Sequence, residues 1–351
     1  MSTSSKHDSA DLLIVGAGVA GCAVALSRAA NARFQRIVVL HFADERSGTE
    51  SLSSDACQKL AGCHIKPGVA FRQVIAWWGS EQREILLCEG ARIVQREGLA
   101  AQMRAKAAEQ VQILPCKSRV FVTRNKGMWM IAFVSSDGTR SEIRANCICD
   151  ATGRRSAIAR SLGARRENFD DLCCVAVPIS NCRDTGTWTE SVSNGWWNLC
   201  SDGSKATLAF YSSPKLLQQA LKNLRKVFDE TREVRHLASF DGEGERCIRV
   251  CRSSLLNPCA GPGWFAVGDA AGTLQPLSSG GVMKALRDAD FVGSVMETNG
   301  RQYNERYRIE FNDYLKQLAI HYNLEKRWLG SEFWKMSPSG SQHTVCRTSE
   351  S

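Results

Sequence analysis

Three glycines near the amino terminus have the spacing of a dinucleotide-binding turn. Gly16, Gly18 and Gly21 fit the pattern GxGxxG between an apolar run at residues 11–15 and small, helix-compatible residues at 20–30. Glycines at these places let the backbone approach a pyrophosphate, and the helix amino terminus favours its negative charge. We therefore predict that a dinucleotide contacts Gly16, Gly18, Val19, Ala20 and Gly21. A tight turn without a ligand is the alternative, and the pattern alone does not separate NAD from FAD.

The group that binds the ribose is less well defined. A second apolar run, residues 36–40, ends without the acidic residue that usually accepts hydrogen bonds from the ribose. His41 follows this run directly, and Asp44 and Glu45 come shortly after it. Either His41 donates to a ribose hydroxyl or one of the two acids reaches it.

Two distant segments identify the cofactor by resemblance. Residues 150–156 (DATGRRS) and 264–272 (WFAVGDAAG) resemble the second and third fingerprints of flavoproteins with the glutathione-reductase-type FAD fold, above all the class A aromatic hydroxylases. The resemblance implies FAD rather than NAD, and an aspartate at the position of Asp269 that holds a ribityl hydroxyl. A turn aspartate or a helix N-cap is the alternative for Asp269. The implied cofactor contacts in these segments are Asp150, Gly153, Gly268 and Asp269.

A loop rich in proline, serine and glycine follows Asp269. Residues 275–282 (QPLSSGGV) are predicted to open a long helix, and a helix amino terminus aimed at the flavin pyrimidine would stabilise negative charge on the reduced ring. A plain capping loop is the alternative. Pro276, Ser278, Ser279 and Gly280 are the candidates beside the reacting ring, and Gly280, Gly281 and Val282 are candidate cofactor contacts.

One arginine completes the implied cofactor site. Arg96, just before a predicted helix at residues 98–110, resembles the class A arginine that contacts the flavin or its ribityl chain. Arg104 on the same helix is the competing candidate, and a solvated charge is the alternative for both.

Further segments narrow the resemblance to one branch of these flavoproteins. Residues 50–52 (ESL), 76–80 (AWWGS), 194–197 (NGWW) and the PLSSGG loop are similar to the tryptophan-halogenase-like branch, most of all to the short maturation flavoproteins of quinone-containing amine and amino-acid oxidases. This resemblance implies hydroxylation of a tryptophan side chain in a partner protein, the precursor of a tryptophylquinone enzyme, through a flavin C4a-hydroperoxide. It also places Ser51 and Leu52 at the cofactor. Candidate pocket-lining residues are Trp77, Trp78, Trp196 and Trp197.

Halogenation is the nearest alternative chemistry. The halogenases carry a WxWxIP motif, which this sequence lacks, and a lysine that captures hypohalous acid. Lys66 lies in the corresponding region, but its surroundings (CHIKPG) differ, so a surface lysine is the favoured interpretation. We therefore predict hydroxylation, with a halogenase or hydroxylase of a small aromatic metabolite, or a non-catalytic flavin-bearing binding protein, as alternatives. No second nucleotide fingerprint is present, so NAD(P)H and a partner reductase both remain candidate electron donors.

Composition restricts the class of protein. The 351 residues are 43% hydrophobic and 23% charged, which excludes a disordered or fibrous chain. The net charge of +9 is scattered and accompanies no nucleic-acid motif, so it favours solubility or an acidic protein partner. The fifteen cysteines are predicted to be reduced core thiols without a metal. No secretion signal or long apolar run is seen, so we expect a cytoplasmic protein without a membrane segment.

The predicted elements give an α/β fold. We expect a glutathione-reductase-type, Rossmann-like FAD-binding domain, a second and mainly antiparallel substrate domain, and carboxy-terminal helices. The predicted FAD domain comprises residues 10–60, 90–166 and 254–300, the substrate domain 61–89 and 167–253, and the helices 301–336, with flexible tails at 1–9 and 337–351. Single helices are predicted near 214–229, 280–297 and 302–324.

Overall fold

The computed structural model describes residues 8–43, 47–117, 120–179, 182, 184–240 and 245–336. The strands are β1 (Asp8–Val15), β2 (Ile37–Phe42), β3 (Thr49–Leu52), β4 (Val69–Ala70), β5 (Gln73–Trp77), β6 (Glu84–Leu87), β7 (Arg92–Gln95), β8 (Gln112–Cys116), β9 (Phe121–Asn125), β10 (Met128–Val134), β11 (Arg140–Asp150), β12 (Arg165–Asn168), β13 (Cys173–Ile179), β14 (Thr185–Val192), β15 (Gly195–Asp202), β16 (Ala206–Ser212), β17 (Cys247–Val250), β18 (Ser254–Asn257), β19 (Ala260–Gly261), β20 (Trp264–Ala266) and β21 (Gly272–Thr273). The helices are α1 (Val19–Leu26), α2 (Arg28–Arg33), α3 (Ser54–Gly62), α4 (Arg96–Ala108), α5 (Ala157–Ser161), α6 (Pro214–Ala220), α7 (Leu224–Asp229), α8 (Val234–Leu237), α9 (Gly281–Asp290), α10 (Val292–Glu297), α11 (Arg301–Leu324) and α12 (Glu332–Met336).

The first sheet has a parallel centre, in the order β8, β2, β1, β11, β20. Residues 12–15 of β1 are fully buried, which agrees with the continuous apolar sequence of this strand. Val15 is in register with both Leu40 and Asp150, and Asp150 is in register with Ala266. The three fingerprints therefore leave the sheet at one edge, where ligands of open α/β sheets bind.

The second sheet has seven strands in the order β17, β13, β16, β15, β14, β5, β6, and only the β14–β5 pair is parallel. One face packs on α6, α7 and α8 through residues such as Leu217, Phe228 and Val234. The other face packs on α11 through Leu318 and Tyr322. The predicted α/β class with a mainly antiparallel second sheet is confirmed, while the exact domain boundaries stay a prediction.

Two smaller sheets join the main ones. Strand β7 pairs with both β3 and β4, and β18 pairs with both β12 and β21. The hydroxyl of Thr49 on β3 donates to the carbonyl oxygen of Cys200 on β15 at 2.8 Å. This contact ties the first of these small sheets to the seven-stranded sheet.

Two of the three segments predicted as single helices are each divided into two helices. The segment 214–229 forms two helices: the first ends at Ala220, and Asn223 caps the start of the second, where its side chain accepts a hydrogen bond from the N–H of Lys226 at 3.0 Å. The segment 280–297 is divided into α9 and α10 at Phe291. The third, α11, runs unbroken from Arg301 to Leu324 as expected.

Cysteine, membrane and metal features are reported for the described residues only. Fourteen cysteines there are free thiols, and most of them are buried. No helix in these ranges is long and apolar enough to cross a membrane, and no cluster of three or more His, Cys, Asp or Glu residues within them suits a metal ion.

Candidate flavin site

The glycine-rich turn combines close packing with open space. Gly16 has φ +114°, and a Cβ there would lie 2.3 Å from the carbonyl oxygen of Ala151. A Cβ on Gly21 would lie 1.9 Å from the carbonyl oxygen of Gly16. Gly18 differs, since a Cβ on it would meet nothing within 4 Å, and it precedes α1 without a side-chain cap. The amino terminus of α1 therefore has open space beside Gly18, where a pyrophosphate would meet the first N–H groups of the helix.

The second fingerprint is organised by a buried carboxylate. Asp150 is 1% exposed and accepts hydrogen bonds from the N–H and hydroxyl of Thr152, at 2.9 and 2.6 Å. It also accepts the N–H groups of Ile158 and Ala159, at 3.0 and 2.8 Å, and so caps α5. Burial raises the pKa of Asp150. Its role as a direct cofactor contact stays a prediction, as does that of Gly153, whose missing Cβ would point into open space.

The third fingerprint is held by a polar cluster that the sequence alone did not reveal. Asp288, only 2% exposed, accepts the N–H of Gly268 at 2.7 Å, and Lys284 donates to the carbonyl oxygen of Gly268 at 2.6 Å. The hydroxyl of Tyr307 donates a hydrogen bond to Asp288 and accepts one from Lys284 at 2.9 Å. Gly268 has φ +57°, and a Cβ there would lie 2.5 Å from the Cβ of Ala20. The first and third fingerprints are therefore in direct contact. The signal in the sequence is the i,i+4 spacing of Lys284 and Asp288, which is also typical of an exposed ion pair.

Charged side chains surround Asp269. The Nε of Arg154 lies 3.3 Å from Oδ2 of Asp269, and Arg166 donates to the backbone oxygen of Asp269 at 2.9 Å. Arg96, at the start of α4, forms an ion pair with Glu50 at 2.9 Å. Glu50 is the main cause of the raised pKa of Arg96, and the negative charge of Asp269 adds to it. Arg96 and Asp269 are therefore near enough to interact electrostatically, while the contact of each with the cofactor stays a prediction.

The predicted loop and the residues after β2 also meet. The hydroxyl oxygens of Ser51 and Ser279 lie 2.8 Å apart. Residues Pro276–Ser278 form one 3-10 turn, Ser279 has φ +47°, and α9 begins at Gly281. A Cβ on Gly281 would again meet nothing within 4 Å, so the helix amino terminus has room for a ligand. The side chain of Leu52 is 1% exposed and packs in the core, and that of Val282 is 8% exposed.

The four candidate tryptophans divide between the two faces of the seven-stranded sheet. Trp78 and Trp196 pack with Tyr211 and Tyr322 against Leu277 of the loop. Trp77 and Trp197 belong to the cluster on the opposite face, with Trp197 against Phe210, Phe228 and Phe240. Neighbouring residues of a strand point to opposite faces, so only one member of each pair reaches the loop.

A hydrogen-bonded chain connects this aromatic cluster to the loop. The indole N–H of Trp196 donates to the hydroxyl of Tyr322 at 3.2 Å, and Tyr322 donates to Oε1 of Gln275 at 2.9 Å. The ring of Trp196 also stacks on Tyr211 with centroids 3.9 Å apart. Gln275, which directly precedes Pro276, is a positioning residue that the sequence did not single out.

The remaining candidates lie at the periphery or outside the described residues. Lys66 is exposed in the loop between α3 and β4, and His41 lies near the end of β2, half-buried. Arg104 lies on α4 near Cys22, whose thiol pKa its charge lowers against a larger effect of burial. Asp44 and Glu45, the alternative ribose ligands, fall outside the described residues.

Comparison with known proteins assigns the family. The family model described as tryptophan halogenase matches residues 93–348, which is most of the chain. The chain belongs to this family. Its predicted nature as a FAD-dependent oxidoreductase is confirmed by the family and by a relative from Marinomonas mediterranea, the putative FAD-dependent oxidoreductase LodB, which is 22% identical over 93% of this chain and 96% of that protein.

Two solved flavoenzymes with the same fold differ in their chemistry. The myxobacterial chondrochloren halogenase CndH superposes with a TM-score of 0.81 at 18% identity, covering 94% of this chain and 86% of its own. The peptidyl tryptophan dihydroxylase QhpG, essential for tryptophylquinone cofactor biogenesis, superposes with a TM-score of 0.76 at 19% identity, covering 93% of this chain and 78% of its own. At these identities the likeness establishes the fold, so the chemistry must be argued from the site.

The residues of this family member fit FAD. Gly18 and Gly281 leave space at two helix amino termini, where a pyrophosphate and a flavin pyrimidine would each meet N–H groups. Asp269 offers acceptor oxygens for a ribityl hydroxyl, and Arg96 offers a fixed positive charge beside it.

Proposed function

We propose that this protein hydroxylates a tryptophan side chain of a partner protein on the way to a tryptophylquinone. The observation that carries the proposal is the aromatic wall of Trp78, Trp196, Tyr211 and Tyr322, which belongs to the buried cluster against which Leu277 of the flavin loop packs. An electron-rich ring needs a water-excluding environment that orients it at the flavin, and this buried cluster would support the loop that faces such a ring. QhpG, which shares the fold, acts on a peptidyl tryptophan, and this supports a protein substrate.

The residues of the chain have separate tasks in this reaction. Bound FAD, once reduced, supplies the oxygen atom from molecular oxygen. Arg96 and the amino terminus of α9 stabilise negative charge on the reduced ring, while Asp269 and the Ser51–Ser279 pair orient the cofactor. The Trp196–Tyr322–Gln275 chain fixes the first residue of the loop. Either NAD(P)H or a partner reductase delivers the electrons.

Charge favours a protein partner over a small metabolite. The net charge of +9 attracts an acidic surface and raises the rate of encounter with it. The test is co-expression with the products of neighbouring genes, followed by intact-mass measurement of each. A partner that gains one or two oxygen atoms only when this chain is present supports the proposal. Turnover of free tryptophan or a phenol, with all partners unmodified, contradicts it.

Halogenation is the second candidate, because the family is that of tryptophan halogenases and CndH shares the fold. Lys66, exposed on its loop, is the residue that decides between the two. We expect Lys66→Ala to retain oxygen transfer without any need for halide. Lys316→Ala, which removes an exposed lysine paired with Asp313 on α11, is the matched control. A product with chlorine or bromine, lost only in Lys66→Ala, reverses this ranking.

A further inference from the structure

Two buried thiols face each other in the seven-stranded sheet, and the proposed reaction uses neither. Cys174 lies on β13 and Cys251 directly follows β17, with their sulfur atoms 3.4 Å apart. They are 2% and 4% exposed. The N–H of Cys251 donates to the carbonyl oxygen of Leu172 at 2.8 Å. Leu172, Cys174 and Cys251 belong to one buried cluster. Cys174 lies two residues after Leu172, and side chains two residues apart on a strand point to the same face of the sheet. The two thiols therefore lie on the same face.

The thiol pair lies beside the flavin site. The carbonyl oxygen of Val250, the residue before Cys251, accepts a hydrogen bond from Nη1 of Arg154, whose Nε is 3.3 Å from Asp269. Cys174 is opposite Tyr211 in the strand ladder, and the Tyr211 ring stacks on Trp196. The thiol pair is therefore connected to Asp269 through Arg154 and to the aromatic residue Trp196 through Tyr211.

The surrounding charges make the two thiols unequal. The contact with Cys174 is the main influence that lowers the pKa of Cys251, and the guanidinium groups of Arg154, Arg249 and Arg96 lower it further against the effect of burial. The same contact raises the pKa of Cys174. In a pair of thiols in contact, the more acidic one attacks an oxidant more readily, and its neighbour then resolves the product.

We propose that Cys174 and Cys251 are an oxidisable dithiol, which hydrogen peroxide converts into a disulfide. The Cys251 thiolate attacks one peroxide oxygen, the O–O bond breaks, and hydroxide leaves a sulfenic acid on Cys251. The sulfur of Cys174 then attacks the sulfur of Cys251, the S–O bond breaks, and the hydroxyl group leaves as water with the thiol proton of Cys174. The proton that Cys251 released on forming the thiolate neutralises the hydroxide from the first step. In sum, two thiols and one hydrogen peroxide give one disulfide and two waters, and the sulfurs supply both electrons.

The peroxide has a source within this protein. Reduced flavins release hydrogen peroxide when they react with oxygen and no substrate accepts the oxygen atom. The disulfide would consume this peroxide close to Trp196 and Tyr211, two oxidisable rings of the aromatic wall. This inference depends on bound FAD and not on the identity of the substrate.

The test is a thiol map of the flavin-loaded protein. One sample is treated with hydrogen peroxide, and a second is reduced with dithionite and then exposed to air without substrate. Each is denatured with an alkylating agent present, digested and analysed by mass spectrometry. We expect a linked peptide pair containing Cys174 and Cys251 in both samples, and its loss after treatment with dithiothreitol.

Matched variants locate the reaction. Cys173→Ser removes the neighbouring buried thiol, whose sulfur lies on the other face at 3.3 Å from the carbonyl oxygen of Ser212, and it should keep the link. Cys174→Ser should lose the link and leave a sulfenic acid on Cys251 that dimedone traps. The proposal is overturned if Cys174 and Cys251 of the unaltered protein are fully alkylated after peroxide while the exposed Cys247 is oxidised. That result does not depend on whether any variant folds, and it leaves the proposed hydroxylation untouched.

Discussion

Ser51 and Ser279 are 228 positions apart in the sequence, and their hydroxyl oxygens lie 2.8 Å from each other. The contact joins β3 to the loop that precedes α9, so it connects the two sides of the space assigned to the flavin ring. Ser279 holds a left-handed backbone with φ +47°, which directs its short side chain across this gap. The pair therefore closes the site at a point that no local sequence pattern marks.

The serine pair predicts coupled effects on FAD binding. Ser51→Ala and Ser279→Ala should each weaken binding a few-fold, and the double variant should be no worse than either one, because the same hydrogen bond is lost. The expected coupling energy is about 0.5–1.5 kcal/mol. Titration of the four apoproteins with FAD measures it. Strictly additive losses would mean that the two hydroxyls contact the cofactor independently.

Substitutions at Gly18 and at Gly21 of the glycine-rich turn should have different effects. A side chain at Gly18 enters open space, so Gly18→Leu should fold with a nearly unchanged Tm of the apoprotein yet bind FAD at least tenfold more weakly, a loss of about 1.4 kcal/mol. Gly21→Ala should cost about 3 kcal/mol of stability, since its Cβ would lie 1.9 Å from a backbone oxygen. Thermal unfolding and flavin absorbance separate the two effects. A Gly18→Leu protein that retains its flavin argues against a pyrophosphate at this turn.

Adjacent tryptophans provide a second matched pair. Trp196→Phe removes the donor to Tyr322, and because an indole N–H only donates, Tyr322 loses the partner that directs its own proton to Gln275. We expect weaker FAD binding and a shifted absorption spectrum of the bound flavin. The buried indole N–H of Trp197 has no hydrogen-bond partner among the described residues, so Trp197→Phe should alter only Tm, by an amount equivalent to about 1 kcal/mol. Equal spectral shifts in both variants would contradict this assignment of faces.

The elements that sequence patterns predict well are those with local causes. The turn at Gly16, Gly18 and Gly21 follows from an apolar run, fixed glycine spacing and small residues, all within a short stretch. The prediction of a single helix starting at Pro214 was wrong. A second helix begins after Asn223, which caps it, and the sequence does not show whether an asparagine caps a helix or faces solvent. Local patterns thus predict the fold around the cofactor but not every interruption of a helix.

The parts of the site that could not be predicted depend on distant partners. Trp196 and Trp197 are equally apolar, and the face each one occupies is decided by α11, whose Tyr322 lies 126 positions from Trp196. Asp288 has the spacing of a surface ion pair with Lys284, yet it is buried because the N–H of Gly268 and the hydroxyl of Tyr307 require an acceptor there. Such roles emerge only when the sheet edges and helices are brought together.

Glu325 predicts a pH-dependent loss of stability where α11 ends beside the aromatic wall. Its side chain has no exposed surface and accepts hydrogen bonds from Arg327 at 2.6 Å, from the N–H of Gly79 at 3.0 Å and from Ser191. Burial opposes the charge, but these hydrogen bonds outweigh it and lower the pKa of Glu325 from its ordinary value of 4.5. The unfolded chain therefore takes up this proton first as the pH falls. The stabilisation is complete above pH 4.5 and is lost as the pH falls through the lowered value.

Glu325→Gln should cost about 3–5 kcal/mol at pH 7, because it leaves the buried side of Arg327 without its charge partner. The difference from the unaltered protein should shrink steadily below pH 4.5, because the unfolded chain takes up the proton while the native carboxylate, with its lowered pKa, is still ionised. Glu310→Gln, which breaks an exposed i,i+4 pair with Arg306, is the control and should cost less than about 1 kcal/mol at every pH. Urea unfolding of the three proteins from pH 7 to pH 3 measures these differences. A deficit of Glu325→Gln that stays constant over this range would show that lost packing, and not the ionised carboxylate, is what anchors the end of α11.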